Sequence, residues 1–341
     1  MEYLSGSKKE FLDYVNNLNE NDKIAVITHT DLDGIASAVL IDEILKQKKL
    51  KIYSIDFLDY GKGKFEKVEK NFKKGTNKIF ILDINAESDS EGFENLRKNF
   101  DVLLIDHHPS NLKGEKIIRT QSSDCVAFAI YELAKENVDL NKLEWLVCST
   151  MISEYSFKDK NNFNFIKQHY PKIAYEEINN SEPGEISKRI SSALIYFKGK
   201  EKNVYDLVQE NKINSFEKYH KIIEKEIESL LKKFKEEAEF FPQKNLYFYY
   251  TAPKFSVTSV VTTILSSQEP EKTFIFVSSI NGEPDFYKVS SRHQNGKEDM
   301  GQLMKKGIAG LENATAGGHV PAAAARFRKK DFEKFKKNLL S

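Results

Sequence analysis

Residues 24–40, IAVITHTDLDGIASAVL, join two hydrophobic periods through a polar hexad. Ile24, Ala25, Val26 and Ile27 form an apolar run too short for a core helix, which predicts a buried strand. After Gly34 the period changes, and Ile35, Ala38, Val39, Ile41 and Leu45 fall on one helical face. Thr28 to Gly34 therefore sits at a strand-to-helix junction, where open α/β sheets bind ligands. His29, Asp31 and Asp33 alternate along the junction, so their side chains can converge beyond the strand tip. A mixture of imidazole and carboxylate donors suits hard divalent cations. A calcium loop begun at His29 would place Leu40 at its twelfth position, where a bidentate Glu is required. Taken alone, Asp33 also reads as a helix cap and His29 as a loop histidine.

Two further apolar runs decide between those readings. Ile79 to Leu82 ends on Asp83, and Val102 to Ile105 ends on Asp106, His107, His108 and Pro109. Lys51 to Phe57 alternates as another strand. Helical segments between these strands predict parallel βαβ units, whose strand tips share one edge of the sheet. Donors scattered along the chain would then meet there, and their joint occurrence predicts a metal site.

A chain of 341 residues is long enough for two domains. Its 40% hydrophobic and 30% charged residues describe a globular protein rather than a disordered one. No apolar run reaches the roughly eighteen residues of a membrane span, and the N-terminus lacks a secretory core, so a cytoplasmic location without membrane partners is expected. Cys125 and Cys148 lie in apolar helical patterns, which fits reduced core thiols better than a disulfide or zinc site. Formal net charge is +1, but from Arg326 to Lys337 seven basic residues face Asp331 and Glu333, leaving +5. That run fits either a polyanion-binding surface or a solvated helix end.

Ser122 or Ser123 is placed to cap a helix carrying Val126, Phe128, Ile130, Tyr131 and Leu133. A second helix, Leu143 to Ile152, runs into Ser153, Glu154, Tyr155 and Ser156. A long charged helix is expected from about Ser215 to Glu239. Beyond Pro242, strands are predicted at Asn245 to Tyr250, Thr273 to Ser279 and Phe286 to Ser291, the last ending at Arg292. Helices are predicted at Ser259 to Ser266 and Met300 to Leu311, and Gly317-Gly318 is read as a turn feeding an alanine-rich helix from Val320 through Ala325. The fold class is α/β: a parallel-sheet domain over 1–185, a helical connector over 186–241 and a smaller α/β domain over 242–341.

With HTDLDG at His29 to Gly34, Asp83 in ILDIN, Asp106-His107-His108, and the serine-led helix of QSSDCVAFAIYEL, the chain resembles the DHH phosphoesterases of the RecJ and oligoribonuclease type. Ser291-Arg292 and Gly317-Gly318-His319 resemble the family's DHH-associated substrate domain. The resemblance implies two Mn²⁺ ions, with Mg²⁺ as the alternative. His29, Asp31 and Asp83 would hold one ion; Asp33, Asp83 and His107 the other, with Asp83 bridging. Such a pair activates water and stabilises the oxygens of an in-line phosphoryl displacement. His108 would meet the scissile phosphate or the leaving oxygen, and Asp106 is the other residue expected to be catalytic. The family's further aspartate on the second ion is missing from CSTMISEYSF, where Glu154 is the carboxylate available to replace it. Arg292 and His319, with Ser291, Gly317 and Gly318, would hold a terminal phosphate across an interdomain cleft.

The activity this implies is hydrolysis of short single-stranded RNA or DNA, or of dinucleotides, to mononucleotides. Two alternatives share the motifs: a cyclic dinucleotide (c-di-AMP/pApA) phosphodiesterase, and a DHH binding protein with a degenerate site in a replication or repair assembly. Expected partners are the nucleotide substrate and a second copy of the chain as a homodimer.

Overall fold

The computed structural model describes residues 1–59, 61–280 and 282–341. It divides into two compact units, Met1–His220 and Lys221–Ser341. Each is an α/β sheet domain, the second the smaller, and helices join them.

The first unit is built on strands β1 (Tyr3–Ser5), β2 (Ile24–His29), β3 (Ile52–Leu58), β4 (Lys78–Leu82), β5 (Asp101–Asp106) and β6 (Ile117–Thr120), in the order β1-β6-β5-β4-β2-β3. All neighbours are parallel except β1, which pairs antiparallel with β6. The helices are α1 (Lys8–Asn16), α2 (Leu32–Gln47), α3 (Lys64–Glu69), α4 (Ser90–Asn99), α5 (Val126–Ala134), α6 (Glu144–Ser153), α7 (Lys160–His169), α8 (Glu182–Tyr196) and α9 (Lys202–Gln209). Alternate residues of β2 enter different cores. Ile24 and Val26 join Phe11, Ile35, Phe80 and Cys148 on one face; Ala25 and Ile27 join Phe65, Ile79, Ile81 and Phe93 on the other. Coverage on both faces is why the strand is continuously apolar. Cys125 and Cys148 are both buried and unbridged, as expected.

Strand order fixes the site. The chain leaves β2 to form β3 on one side, then returns to lay β4 on the other. Connections after β2 and β4 thus diverge, opening the crevice characteristic of a topological switch point. Gly34 lets α2 begin hard against β2: a Cβ at this position would lie 2.3 Å from the His29 carbonyl oxygen. Thr28 Oγ1 also donates to the Gly34 carbonyl at 2.7 Å. Gly34→Ala should displace the helix start, costing about 1–3 kcal/mol. A lower denaturant midpoint is the measurement that checks it.

The second unit takes up most of α10 (Glu217–Glu237) and a sheet of β7 (Glu239–Phe241), β8 (Leu246–Thr251), β9 (Thr273–Ile280), β10 (Glu283–Arg292), β11 (Thr315–His319) and β12 (Ala322–Arg328). The order is β11-β12-β10-β9-β8-β7, with only β8 and β9 parallel. Helices α12 (Met300–Gly307) and α13 (Phe332–Leu340) cover one face through Met300, Met304, Phe335 and Leu339, packed on Val277, Val289 and Phe327. On the opposite face, Phe234 of α10 meets Tyr247, Tyr249, Phe274 and Phe276. There α11 (Thr258–Gln268) approaches β10, Thr262 lying 2.9 Å from the Ser290 hydroxyl.

The expected alanine-rich helix is a strand. Ala322 to Arg328 pairs with both β10 and β11, and Gly317-Gly318 belongs to β11, not to a turn before a helix. Tertiary pairing overrides alanine's helix preference. The two-residue period is nonetheless present: Ala323, Ala325 and Phe327 face the core, while Ala322, Ala324 and Arg326 face away. No helix among the described residues is long and apolar enough to cross a membrane.

Candidate metal centre

Four elements deliver the donors. His29 ends β2, Asp31 is the N-cap of α2, Asp83 follows β4, and Asp106 ends β5 with His107 and His108 just beyond it. Asp31 accepts from the Gly34 amide at 3.0 Å through Oδ1, while its Oδ2 stands 2.7 Å from His29 Nδ1. Capping and ligation are therefore compatible in one carboxylate, each oxygen serving one of them.

Asp83 is the centre of the arrangement. Its backbone is left-handed, φ 58°, a conformation that costs a non-glycine residue free energy and is held here by the surrounding sheet. Its amide donates to the Ile105 carbonyl at 2.9 Å, fixing the turn against β5. The carboxylate is 1% exposed, and neither oxygen has a hydrogen-bond partner. Oδ2 lies 3.6 Å from His29 Nδ1; Oδ1 lies 3.4 Å from His107 Nε2 and 3.7 Å from His108 Nδ1. Two groups of potential cation ligands result, His29/Asp31/Asp83 and Asp83/His107/His108, the donor atoms within each group lying within 4.8 Å of one another. They share Asp83. A buried carboxylate lacking hydrogen bonds is costly unless a cation meets it, so the residues present fit a pair of divalent ions.

The histidines are oriented by what lies behind them. His107 Nδ1 is 2.7 Å from the Asp124 carbonyl oxygen, which can only accept, so Nδ1 carries a proton and Nε2 is turned to the cluster, where a cation would displace any proton it holds. Asn162 donates to Asp124 Oδ1 at 3.2 Å, steadying that loop. His108 Nδ1 is 2.7 Å from Asp106 Oδ1, and the His108 carbonyl accepts from Arg119 Nη2 at 3.1 Å. His108, expected to face the substrate, thus also stands in the second donor group.

Asp33 lies beneath the cluster. Its oxygens accept from the Val126 and Ala127 amides at 2.7 and 2.8 Å, capping α5 from ninety-three and ninety-four residues away. The cap expected from Ser122 or Ser123 is not used; Cys125 is the N-cap residue and its side chain makes no capping bond. Asp33 Oδ2 remains 4.0 Å from His107 Nε2. Glu154, at the C-terminus of α6, is outside both donor groups. Asp59, immediately after β3, has Oδ1 3.9 Å from His29 Nε2 and is absent from the expected ligand set. Its position one residue beyond a strand on the same edge is the sequence signal that points to it.

Protonation follows the crowding of carboxylates. Burial lowers the His29 pKa, but Asp31, Asp59 and Asp83 outweigh it and raise the imidazole to about 12; burial likewise opposes Asp83 and Asp33 at His107, which rises to about 10. Asp31 falls to about 2, His29 prevailing over burial. Burial and neighbouring carboxylates push Asp33, Asp83 and Glu154 upward, Glu154 to about 8. The cluster therefore gathers positive charge, as protons or as metal ions, and metal entry must release protons.

Arg292, Ser291, Gly317 and Gly318 gather in the second unit, around a groove of about 750 Å³ whose walls include Ser259, Lys288 and Arg326. The Ser291 hydroxyl is buried and donates to the Ala323 carbonyl at 2.8 Å. His319 is exposed at the end of β11.

A switch-point sheet bearing two donor groups joined by one carboxylate defines an α/β domain whose residues could hold divalent cations. Residues 23–175 match the family model described as DHH family, N-terminal domain. The fold is similar to that of exonuclease RecJ bound to manganese, with 14% identity, 97% of this chain and 92% of that one covered, and a TM-score of 0.74. RecJ from Thermus thermophilus in complex with Mn²⁺ aligns with 13% identity over 97% of this chain and 53% of that one, TM-score 0.70. The DHH domain of a member of a ribosomal-protein family aligns with 15% identity over 100% and 93%, TM-score 0.69. No curated protein matches the chain in sequence.

Proposed function

We propose that the protein is a two-metal-dependent phosphodiesterase that shortens single-stranded oligonucleotides to mononucleotides. Asp83 carries the proposal: it is buried, has no hydrogen-bond partner, and faces His29 with one oxygen and His107 and His108 with the other. The proposed ligands are His29, Asp31 and Asp83 for one ion, and Asp83, His107, Asp33 and Glu154 for the other. Bound there, Mn²⁺ or Mg²⁺ supplies Lewis-acid stabilisation and a water of lowered pKa. The Asp124 carbonyl holds the His107 tautomer, and Asp106 holds His108 toward the substrate. The manganese-bound RecJ structures named above support this choice of metal and chemistry through shared fold.

In the second unit, Arg292 is proposed to grip a substrate phosphate, for which its planar fork is suited. Arg292→Ala should raise KM about ten- to a hundredfold with a smaller change in kcat, as expected for loss of a charge-assisted phosphate interaction. Steady-state kinetics on a short RNA check this.

The deciding experiment assays the purified protein with Mn²⁺ or Mg²⁺ on RNA and DNA of graded length, pApA and cyclic di-AMP. Mononucleotide release from linear strands supports the proposal; turnover of cyclic di-AMP alone would replace it with the cyclic dinucleotide reading. The position of Glu154 outside both donor groups favours a second reading, a binding protein with an incomplete site. Mn²⁺ binding without hydrolysis of any substrate would establish that one.

A further inference from the structure

The phosphate-facing groove continues into a longer feature of the same sheet. On the α11 side of β10, alternate residues Phe286, Lys288, Ser290 and Arg292 point outward, since Val289 belongs to the opposite core and Ser290 meets Thr262 of α11. Register carries the rows across β12 and β11: Arg292 lies beside Ala322 and His319, Ser290 beside Ala324 and Gly317, Lys288 beside Arg326 and Thr315, and Phe286 beside Arg328. The middle row is made of the smallest side chains, and a Cβ added at Gly317 would meet nothing within 4 Å. The floor is thus low, with cations at both ends.

Those ends are too far apart for one phosphate. Arg292 and Lys288 are four residues apart on an extended strand, about 14 Å at ~3.4 Å per residue. The cationic end is itself ordered: the Arg326 guanidinium lies 3.5 Å from the Phe286 ring centroid and pairs with Glu283, and Arg328 is 5.8 Å from the same ring. A ligand matching the strip carries several negative charges at intervals along a narrow flexible backbone. This is the chemistry of a single strand of nucleic acid.

We infer that this strip, from Arg292 to Lys288, Arg326 and Arg328, holds successive phosphates of a single-stranded polynucleotide, so that strands of four or more nucleotides are preferred to dinucleotides. The inference rests on the nucleotide-substrate reading above and makes the phosphate at Arg292 an internal one. It accounts for Arg326 and Arg328 of the basic run, which the metal centre leaves unused.

The test measures binding of labelled oligothymidylates of two, three, five and eight nucleotides, without terminal phosphates, to the full chain carrying Asp83→Asn so that the strand stays uncut. Affinity should rise steeply with length. Lys288→Gln with Arg326→Gln should weaken the five-nucleotide ligand about tenfold, at least five times more than the two-nucleotide one. The slope of log K against log salt should become shallower by about 1.4, at roughly 0.7 for each phosphate no longer neutralised. Glu283→Gln, which releases Arg326 from its carboxylate, should act oppositely and tighten the longer ligands two- to threefold. Affinity independent of length, or displacement by polyglutamate as effective as by oligothymidylate at equal charge, overturns the inference. Hydrolysis by the unsubstituted protein, with binding indifferent to Lys288 and Arg326, removes the strip and leaves the enzyme. Absence of hydrolysis with binding that still depends on the strip removes the enzyme and leaves the strip.

Discussion

Asp83→Asn should reduce Mn²⁺-dependent hydrolysis by a factor on the order of 10³ or more, with little change in secondary structure. The substitution keeps shape but halves the capacity to meet two cations at once, because an amide offers one weak acceptor oxygen where the carboxylate offers two charged ones. A loss of several kcal/mol of charge stabilisation corresponds to three or more decades in rate at about 1.36 kcal/mol per decade. Calorimetric titration should show the Mn²⁺ stoichiometry falling along with turnover. Full activity in Asp83→Asn would remove the proposed centre altogether.

Glu154→Gln should stabilise the metal-free protein, an unusual sign for a substitution at a functional site. The folded-state pKa is about 8, raised first by burial and then by Asp31 and Asp83, against an ordinary value of 4.5. An acid whose pKa rises on folding favours the native state only while it stays protonated, so stability is lost as pH climbs from about 4.5 toward 8 and levels off beyond. Removing the group at a pH of about 7.5 should restore about 2 kcal/mol, after allowance for relaxation of the site. Saturating Mn²⁺ should reverse the order if Glu154 is a ligand: wild type gains about 2.7 kcal/mol at a hundredfold excess over Kd, and the variant gains less. Urea denaturation at pH values of about 5 and about 7.5, with EDTA or Mn²⁺, separates the cases. An identical Mn²⁺ shift in both proteins removes Glu154 from the ligand set.

Much of the first unit is legible because buried parallel strands advertise themselves. Ile24 to Ile27, Ile79 to Leu82 and Val102 to Ile105 are apolar runs that only two-sided burial explains, and each ends on chemistry. Short strands are harder to see. Tyr3–Ser5 has three residues, and Ile117–Thr120 includes Arg119, whose aliphatic stem is buried while its guanidinium serves the Leu112 and His108 carbonyls. Ala322–Arg328 misleads because alanine fits a helix locally, and only pairing on both sides decides for a strand. Asp33 shows the limit most plainly. A carboxylate at a helix start reads as a cap for its own helix, whereas here Asp31 caps α2 and Asp33 serves α5, a partner invisible at short range.

That long-distance bond has a bearing on biogenesis. The Asp33 carboxylate settles only after the Val126 and Ala127 amides arrive, so the donor cluster above it cannot take shape while a ribosome has yet to deliver the second half of the domain. His29 and Asp31 hold to each other and to Gly34 through neighbours in sequence, but the carboxylate beneath them waits on residues almost a hundred positions later.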